Sequence, residues 1–172
     1  YDRNGALAPK GTVLEQVLKT ETREGYIKQK QPKTAGREQF GRIYAVQFAN
    51  MCQRQSAKPE DALATATALT AESIARSYAR FVSAPMHGKP VDYVVSGGGA
   101  KNRTLMNMLG ERLEPLGCEL MTSAGFGLPT EAKEAVAFAL LAWQTWHRLP
   151  GNVPAATGAA RPVILGQVTY AP

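Results

Sequence analysis

Val91-Asp92-Tyr93-Val94-Val95-Ser96-Gly97-Gly98-Gly99-Ala100-Lys101-Asn102 sets a largely apolar run just before three consecutive glycines. Residues 91–95 form a β-branched and aromatic run with Pro90 just before it, which predicts a buried strand. Beyond Asn102, the residues Leu105, Met108 and Leu109 recur at helical spacing. The unit is therefore strand, glycine turn, helix. Glycines in such a turn allow positive φ and let a ligand approach the main chain with no Cβ in the way. The following helix directs free N–H groups and its positive dipole end at whatever lies over the turn. A nucleotide is the natural occupant. A tight connection in an α/β sheet uses the same residues, and the stretch alone leaves both readings open.

Two nucleotide-binding loops are disfavoured. The dinucleotide pattern needs a third glycine where Asn102 stands, and it needs an acidic residue at the end of the next strand. That strand, residues 118–122, runs into Thr122-Ser123 instead. A phosphate loop of the Gly-Lys-Ser/Thr kind is absent, because no such triplet follows the glycines.

A chain of 172 residues with 44% hydrophobic and 20% charged residues has the size and composition of one folded domain. No apolar run reaches the ~18 residues of a membrane span, and no segment reads as a signal peptide. Cys52 and Cys118 stand far apart, and neither they nor His87 and His147 have metal-ligand spacing. We expect reduced thiols and no metal held by side chains alone. Lys28, Lys30, Lys33, Arg37 and Arg42 concentrate part of the net charge of +6. With few aromatics and no nucleic-acid module around them, they read as a solvated basic loop, and secondarily as an attraction for a phosphorylated ligand.

Working outward, Asn4-Gly5 marks a turn. Thr12 and Glu15 have capping-box form and predict a short helix to about residue 19. Residues 22–36 read as a polar loop. A helix is expected over 38–55, with Phe40, Ile43, Tyr44, Phe48 and Met51 on one stripe. A second, over 59–83, aligns Leu63, Thr67, Thr70, Ile74, Tyr78 and Phe81. A helix over 130–147 is apolar almost all round and should be buried on most sides. A last strand is expected at 163–168. Three strands are few for this length, and the start at Tyr1, with no initiator methionine, reads as that of a fragment.

Glu134 lies in the first turn of the apolar helix, with Phe138 and Leu141 at i+4 and i+7. It shares their stripe and is expected to face packed structure or a cleft. One reading is an acidic group favoured by the helix N-terminus, with Lys133 or Arg161 as candidate partner. The other is a carboxylate on a rigid element, acting as a base or orienting a hydroxyl.

Taken together, the motifs resemble the C-terminal half of the anhydro-N-acetylmuramic acid kinase family. The resemblance runs through Tyr1 to Gly5, Pro32 to Gly41, Pro59-Glu60-Asp61, Ser96 to Asn102, Gly127 to Ala135, Pro150-Gly151-Asn152 and Thr157 to Gly166. Thr34-Ala35 stands where the family usually carries two hydroxyls, and Lys101 where histidine is common.

The resemblance implies an α/β fold, namely the C-terminal domain of the two-domain actin-like sugar kinase (ribonuclease H-like) architecture, with an incomplete sheet flanked by helices. On that implication residues 1–172 are the nucleotide-side domain, and the N-terminal catalytic domain lies outside this chain. Gly97, Gly98, Gly99 and Asn102 would bind ATP, with Mg²⁺ held mainly through the ATP phosphates. Glu134 would face the sugar and the reacting water. The implied reaction phosphorylates O6 of anhydro-N-acetylmuramic acid while water opens its 1,6-anhydro ring. The implied setting is a cytoplasmic homodimer without nucleic-acid or membrane partners, and the 172 residues alone would be inactive. An inactive actin-like nucleotide- or protein-binding domain, or a kinase for another amino sugar, is the alternative.

Overall fold

Two parallel strands hold the centre of the chain, β1 (Val91–Val95) and β2 (Cys118–Thr122). Their register runs from Val91 beside Cys118 to Val95 beside Thr122. This is the computed structural model of the protein, and it describes residues 2–23, 25–30, 34–86 and 89–170. Tyr1, residues 31–33 and His87, on which some sequence readings fall, lie outside the described residues.

In chain order the helices before the sheet are α1 (Glu15–Arg23), α2 (Arg37–Phe40), α3 (Arg42–Gln53), α4 (Pro59–Tyr78) and α5 (Ala84–Met86). Helix α6 (Arg103–Leu113) crosses between the strands, and α7 (Lys133–Trp146) and α8 (Pro154–Thr157) follow them. The expected helix over 38–55 is divided at Gly41, whose Cβ, if present, would lie 2.0 Å from the Arg37 carbonyl oxygen. The expected helix over 59–83 ends its α-helical course at Tyr78 and continues as a π-helical turn over Ala79–Ser83.

Helix α4 is the spine. Ala64, Ala68, Ala71 and Ala75 are buried at spacings of four, three and four residues, followed by Tyr78. Small side chains at this spacing let neighbouring helices approach closely. One side of α4 joins Leu109 and Leu113 of α6 and Cys118 of β2, with Tyr93 and Leu120 packed against them. The other side meets a cluster of Val17, Phe48 and Cys52. Of the expected stripe, Tyr78 is buried and Ile74 packs partly buried against the same cluster, while alanines one position beyond Leu63, Thr67 and Thr70 take the other core places and Thr70 is exposed. Close helix packing selects the alanines, and the bulkier side chains take the edges.

The capping box at Thr12 does not form, because α1 begins at Glu15. The Thr12 N–H instead donates to Asp61 Oδ1 at 2.7 Å, and the Leu14 N–H donates to Thr65 Oγ at 2.9 Å. Ser56 Oγ donates to Asp61 Oδ2 at 2.6 Å. The Ser56 and Thr12 hydrogen bonds hold the buried Asp61 carboxyl below its ordinary range. A partner 49 residues away in sequence thus outcompetes a local cap.

Glu72 ties α4 to α6. It accepts from Arg76 at 2.7 Å on its own helix and from Arg112 at 2.9 Å on the next. Partial burial pushes its carboxyl up, but hydrogen bonds and charge from the two arginines outweigh burial and hold it below the ordinary 4.5. A folded-state value below the unfolded one stabilises the fold above pH 4.5 and ceases to do so as acid protonates the group. The melting temperature of the wild type should therefore fall more steeply below pH 4.5 than that of Glu72→Gln. Thermal melts across pH 3–7 measure this, and parallel curves would assign the pair no net role.

Two expectations for the C-terminal third are corrected. Helix α7 has no buried residue, and Phe138 and Trp146 are 71% and 63% exposed. Residues 163–168 form no strand. They run beside α7, where Gly151 N–H donates to the Val163 carbonyl at 3.0 Å and Thr145 Oγ donates to the Leu165 carbonyl. Val163 N–H donates to Asn152 Oδ1 at 2.7 Å. An extended run becomes a strand only where a partner edge accepts its ladder, and the neighbour here is a helix.

Candidate functional site

The glycine turn forms as the sequence predicts. Gly97 has φ +84° and ψ −173°, a conformation closed to side-chain-bearing residues. Gly98 to Lys101 form a single 3₁₀ turn, and Asn102 starts α6. The Asn102 carbonyl side chain accepts from the Leu105 N–H at 2.9 Å, the bond of an N-cap. That oxygen is committed to the helix, so the amide nitrogen is the end of Asn102 with capacity for a ligand.

A Cβ built on Gly98 meets nothing within 4 Å, and one on Gly99 meets Leu105 Cδ2 only at 3.7 Å. The space over the turn is open. Asn102 is held from behind by the segment Arg3–Gly5: Thr104 Oγ donates to the Gly5 carbonyl at 2.7 Å. Gly5 is buried with φ +71°, and a Cβ there would fall 2.0 Å from Asn102 Oδ1. The Asn4-Gly5 pair, legible in sequence only as a turn, is thus a support for the helix cap.

Parallel strands end in step here, since Val95 lies beside Thr122. Ser96 and the glycine turn therefore continue from β1 alongside Ser123 and the 3₁₀ turn Ser123–Phe126, which continue from β2. Ligands of open α/β sheets bind in the crevice at these carboxyl ends. The Gly97 N–H donates to the Thr130 carbonyl at 2.7 Å, which ties the loop entering α7 to the turn. Lys101 and Glu131 form an exposed ion pair across the same junction, worth little in stability. Nothing in the sequence flags either contact, because the partners are about 30 residues apart.

Glu134 sits one turn beyond Thr130, in the first turn of α7. It is exposed, as is Phe138, so the expectation that it faces packed structure is corrected. Neither Lys133 nor Arg161 pairs with it, and it makes no ion pair among the described residues. The turn and the Glu134 loop are thus brought together, while the carboxylate itself stands in solvent. Among the described residues no three His, Cys, Asp or Glu side chains converge as a metal site. No described helix is long and apolar enough to cross a membrane.

Ser123 is the group that sequence reasoning missed. Its hydroxyl is buried without a hydrogen-bond partner among the described residues. An unpaired buried hydroxyl costs about 1–3 kcal/mol, and deleting it relieves that cost. Ser123→Ala should therefore melt at the same temperature as the wild type or higher. A drop in melting temperature would reveal a partner for this hydroxyl in solution.

This geometry is that of an α/β domain whose glycine turn and Ser123 lie at the carboxyl ends of its two parallel strands. A family model described as anhydro-N-acetylmuramic acid kinase matches residues 1–171. A Bacillus cereus (strain G9842) anhydro-N-acetylmuramic acid kinase is 40% identical over 173 aligned residues, covering 100% of this chain and 44% of the relative. Proteins of the same name from Bacillus cereus (strain B4264) and Bacillus thuringiensis subsp. konkukian (strain 97-27) are 42% and 39% identical, each covering 100% of this chain and 43% and 44% of the relative. The chain spans less than half the length of these curated relatives. It belongs to the anhydro-N-acetylmuramic acid kinase family, a family of phosphotransferases.

Proposed function

We propose that this chain supplies the C-terminal, nucleotide-side domain of an ATP-dependent amino-sugar kinase with the actin-like two-domain fold. Its substrate is 1,6-anhydro-N-acetylmuramic acid, phosphorylated on O6 while water opens the anhydro ring to give N-acetylmuramic acid 6-phosphate. Family membership supports the reaction, and the open space over Gly98 supports a nucleotide on this side of the crevice. The observation that carries the reading is the hydrogen bond from Gly97 N–H to the Thr130 carbonyl. It links the turn to the loop that leads into α7 and Glu134, which supports a reading in which the nucleotide and the reacting water lie over one site.

When bound, ATP with Mg²⁺ supplies the γ-phosphoryl group and neutralises its developing charge. The chain's own residues do the rest of the work assigned to this side. Gly97 to Gly99 let the nucleotide lie against bare backbone, and the Asn102 amide donates to it while its oxygen caps α6. Mg²⁺ would be held mainly through the phosphates of the nucleotide. Glu134, solvent-facing on a rigid helix, orients the water or the sugar hydroxyl. Positioning and charge neutralisation dominate such transfers.

The test is an ATP-dependent assay on the full-length protein carrying this chain, with the product identified by mass spectrometry. A product heavier than the substrate by one phosphoryl group (HPO3) and one water is expected. Phosphorylation with the anhydro ring retained would overturn the hydrolytic part of the reading, and turnover only of another amino sugar would overturn the substrate.

A further inference from the structure

Away from the crevice, the face where α1, α3 and α4 meet holds a cavity of about 920 Å³, within the size range of small-molecule sites. One wall is a ladder of aromatic rings. Tyr26 and Phe40 meet edge to face with centroids 5.5 Å apart, and Phe40 and Tyr44 do so at 5.1 Å. Tyr44 and Phe48 stack at 6.2 Å. The ladder descends from the rim, where Phe40 is 46% exposed, to the core, where Phe48 is 8% exposed.

Facing the rings are short polar groups. Glu21 holds the Tyr44 hydroxyl, which donates to its Oε2 at 2.6 Å. Thr70 and Ser73 of α4 spend their hydroxyl protons on the carbonyls of Ala66 and Thr70, at 3.0 and 2.9 Å, which leaves their oxygen lone pairs to accept. Gln39 adds an amide with both donor and acceptor capacity. No lysine or arginine lines the cavity among the described residues, so Glu21 is its single charge.

That inventory selects a ligand. Among the described lining residues no cation offsets the Glu21 charge, which favours a neutral ligand over a phosphate or carboxylate. A purely apolar ligand would desolvate the Glu21 carboxylate and the Gln39 amide without offering either a hydrogen bond. A neutral pyranose satisfies both sides: its C–H face lies on the rings and its hydroxyls donate to Glu21, Thr70 and Ser73. We infer that this cavity is a binding site for a neutral pyranose, separate from the site proposed to hold the reaction. None of the crevice residues lines it, so the inference stands independently of the proposed reaction.

The probe is N-acetylglucosamine, followed by saturation-transfer NMR and calorimetry on the 172-residue protein. A ligand of this size in a built pocket should bind saturably with a dissociation constant on the order of 1 mM. Excess ATP should leave that binding unchanged. Phe40→Ala, at the exposed rim, should weaken it about fivefold or more with little change in melting temperature, and Glu21→Gln, which keeps every ring, should weaken it as well. Absence of saturable binding overturns the inference. So does binding that both substitutions leave intact, or binding that ATP displaces. A mass measurement showing two copies joined through this face, separated by Phe40→Ala, would also overturn it by assigning the cavity to a second copy of the chain.

Discussion

In the full-length kinase, Glu134→Gln is expected to lower kcat by about 100-fold or more, the usual scale for losing a positioned acid or base. The melting temperature should stay almost unmoved. Glu134 is exposed, forms no ion pair among the described residues, and lies in the first turn of a helix with no side-chain N-cap bond. Its contribution to folding is therefore confined to the helix dipole, at most ~1 kcal/mol. A loss of turnover cannot then be charged to a damaged fold. Steady-state kinetics and thermal melting on the one variant decide the matter, and a normal kcat would end the chemical role of Glu134.

Gly98→Val is the second large effect. Nothing lies within 4 Å of the position a Cβ would take, and the backbone is not in the left-handed region that Gly97 occupies. The substitution therefore leaves the turn standing while placing a β-branched side chain where the nucleotide approaches. We expect the ATP KM to rise about tenfold or more, equivalent to ~1.4 kcal/mol, with sugar affinity nearly intact. Gly97→Ala makes the contrast, because φ +84° strains any side-chain-bearing residue and should lower the melting temperature. Calorimetry with a non-hydrolysable ATP analogue reads the first effect, and unchanged affinity for Gly98→Val would reduce the turn to a connection.

The two effects separate the two sides of the crevice. On the proposed reading one variant acts on nucleotide binding and the other on turnover, although the Gly97–Thr130 hydrogen bond makes their loops neighbours. If Gly98→Val also lowered kcat about as far as Glu134→Gln does, the turn would be setting the position of α7 as well as admitting the nucleotide.

The strand–turn–helix unit was legible residue by residue, except that β1 is half-buried and not buried as expected, with Val94 45% exposed. Val91 to Val95 is β-branched and aromatic, Gly97 needs a φ that only glycine accepts freely, and Asn102 is a residue type that caps helices through its own side chain. Each is a local property, settled within a few positions along the chain, and the structure places β1, the turn and the start of α6 at those residues. The family, too, was legible, because the motifs keep a common order and spacing across the chain.

What the tertiary structure alone decided is which groups meet. The apolar composition of Val136 to Trp146 said that α7 could be buried, but burial depends on what lies beside a helix, and here the face is open. Residues 163–168 are strand-like in type, yet a strand exists only through hydrogen bonds to another, and α7 took that neighbour's place. Thr12 had a local capping partner and took Asp61 instead, since a buried carboxylate needs donors more than an exposed helix end needs a cap. The same holds for Gly97 with Thr130 and for the aromatic wall shared by Tyr26, Phe40, Tyr44 and Phe48. Local conformation is encoded by residue type over a few positions. Contacts between distant segments depend on how the whole chain packs, and it is there that the crevice and the cavity are made.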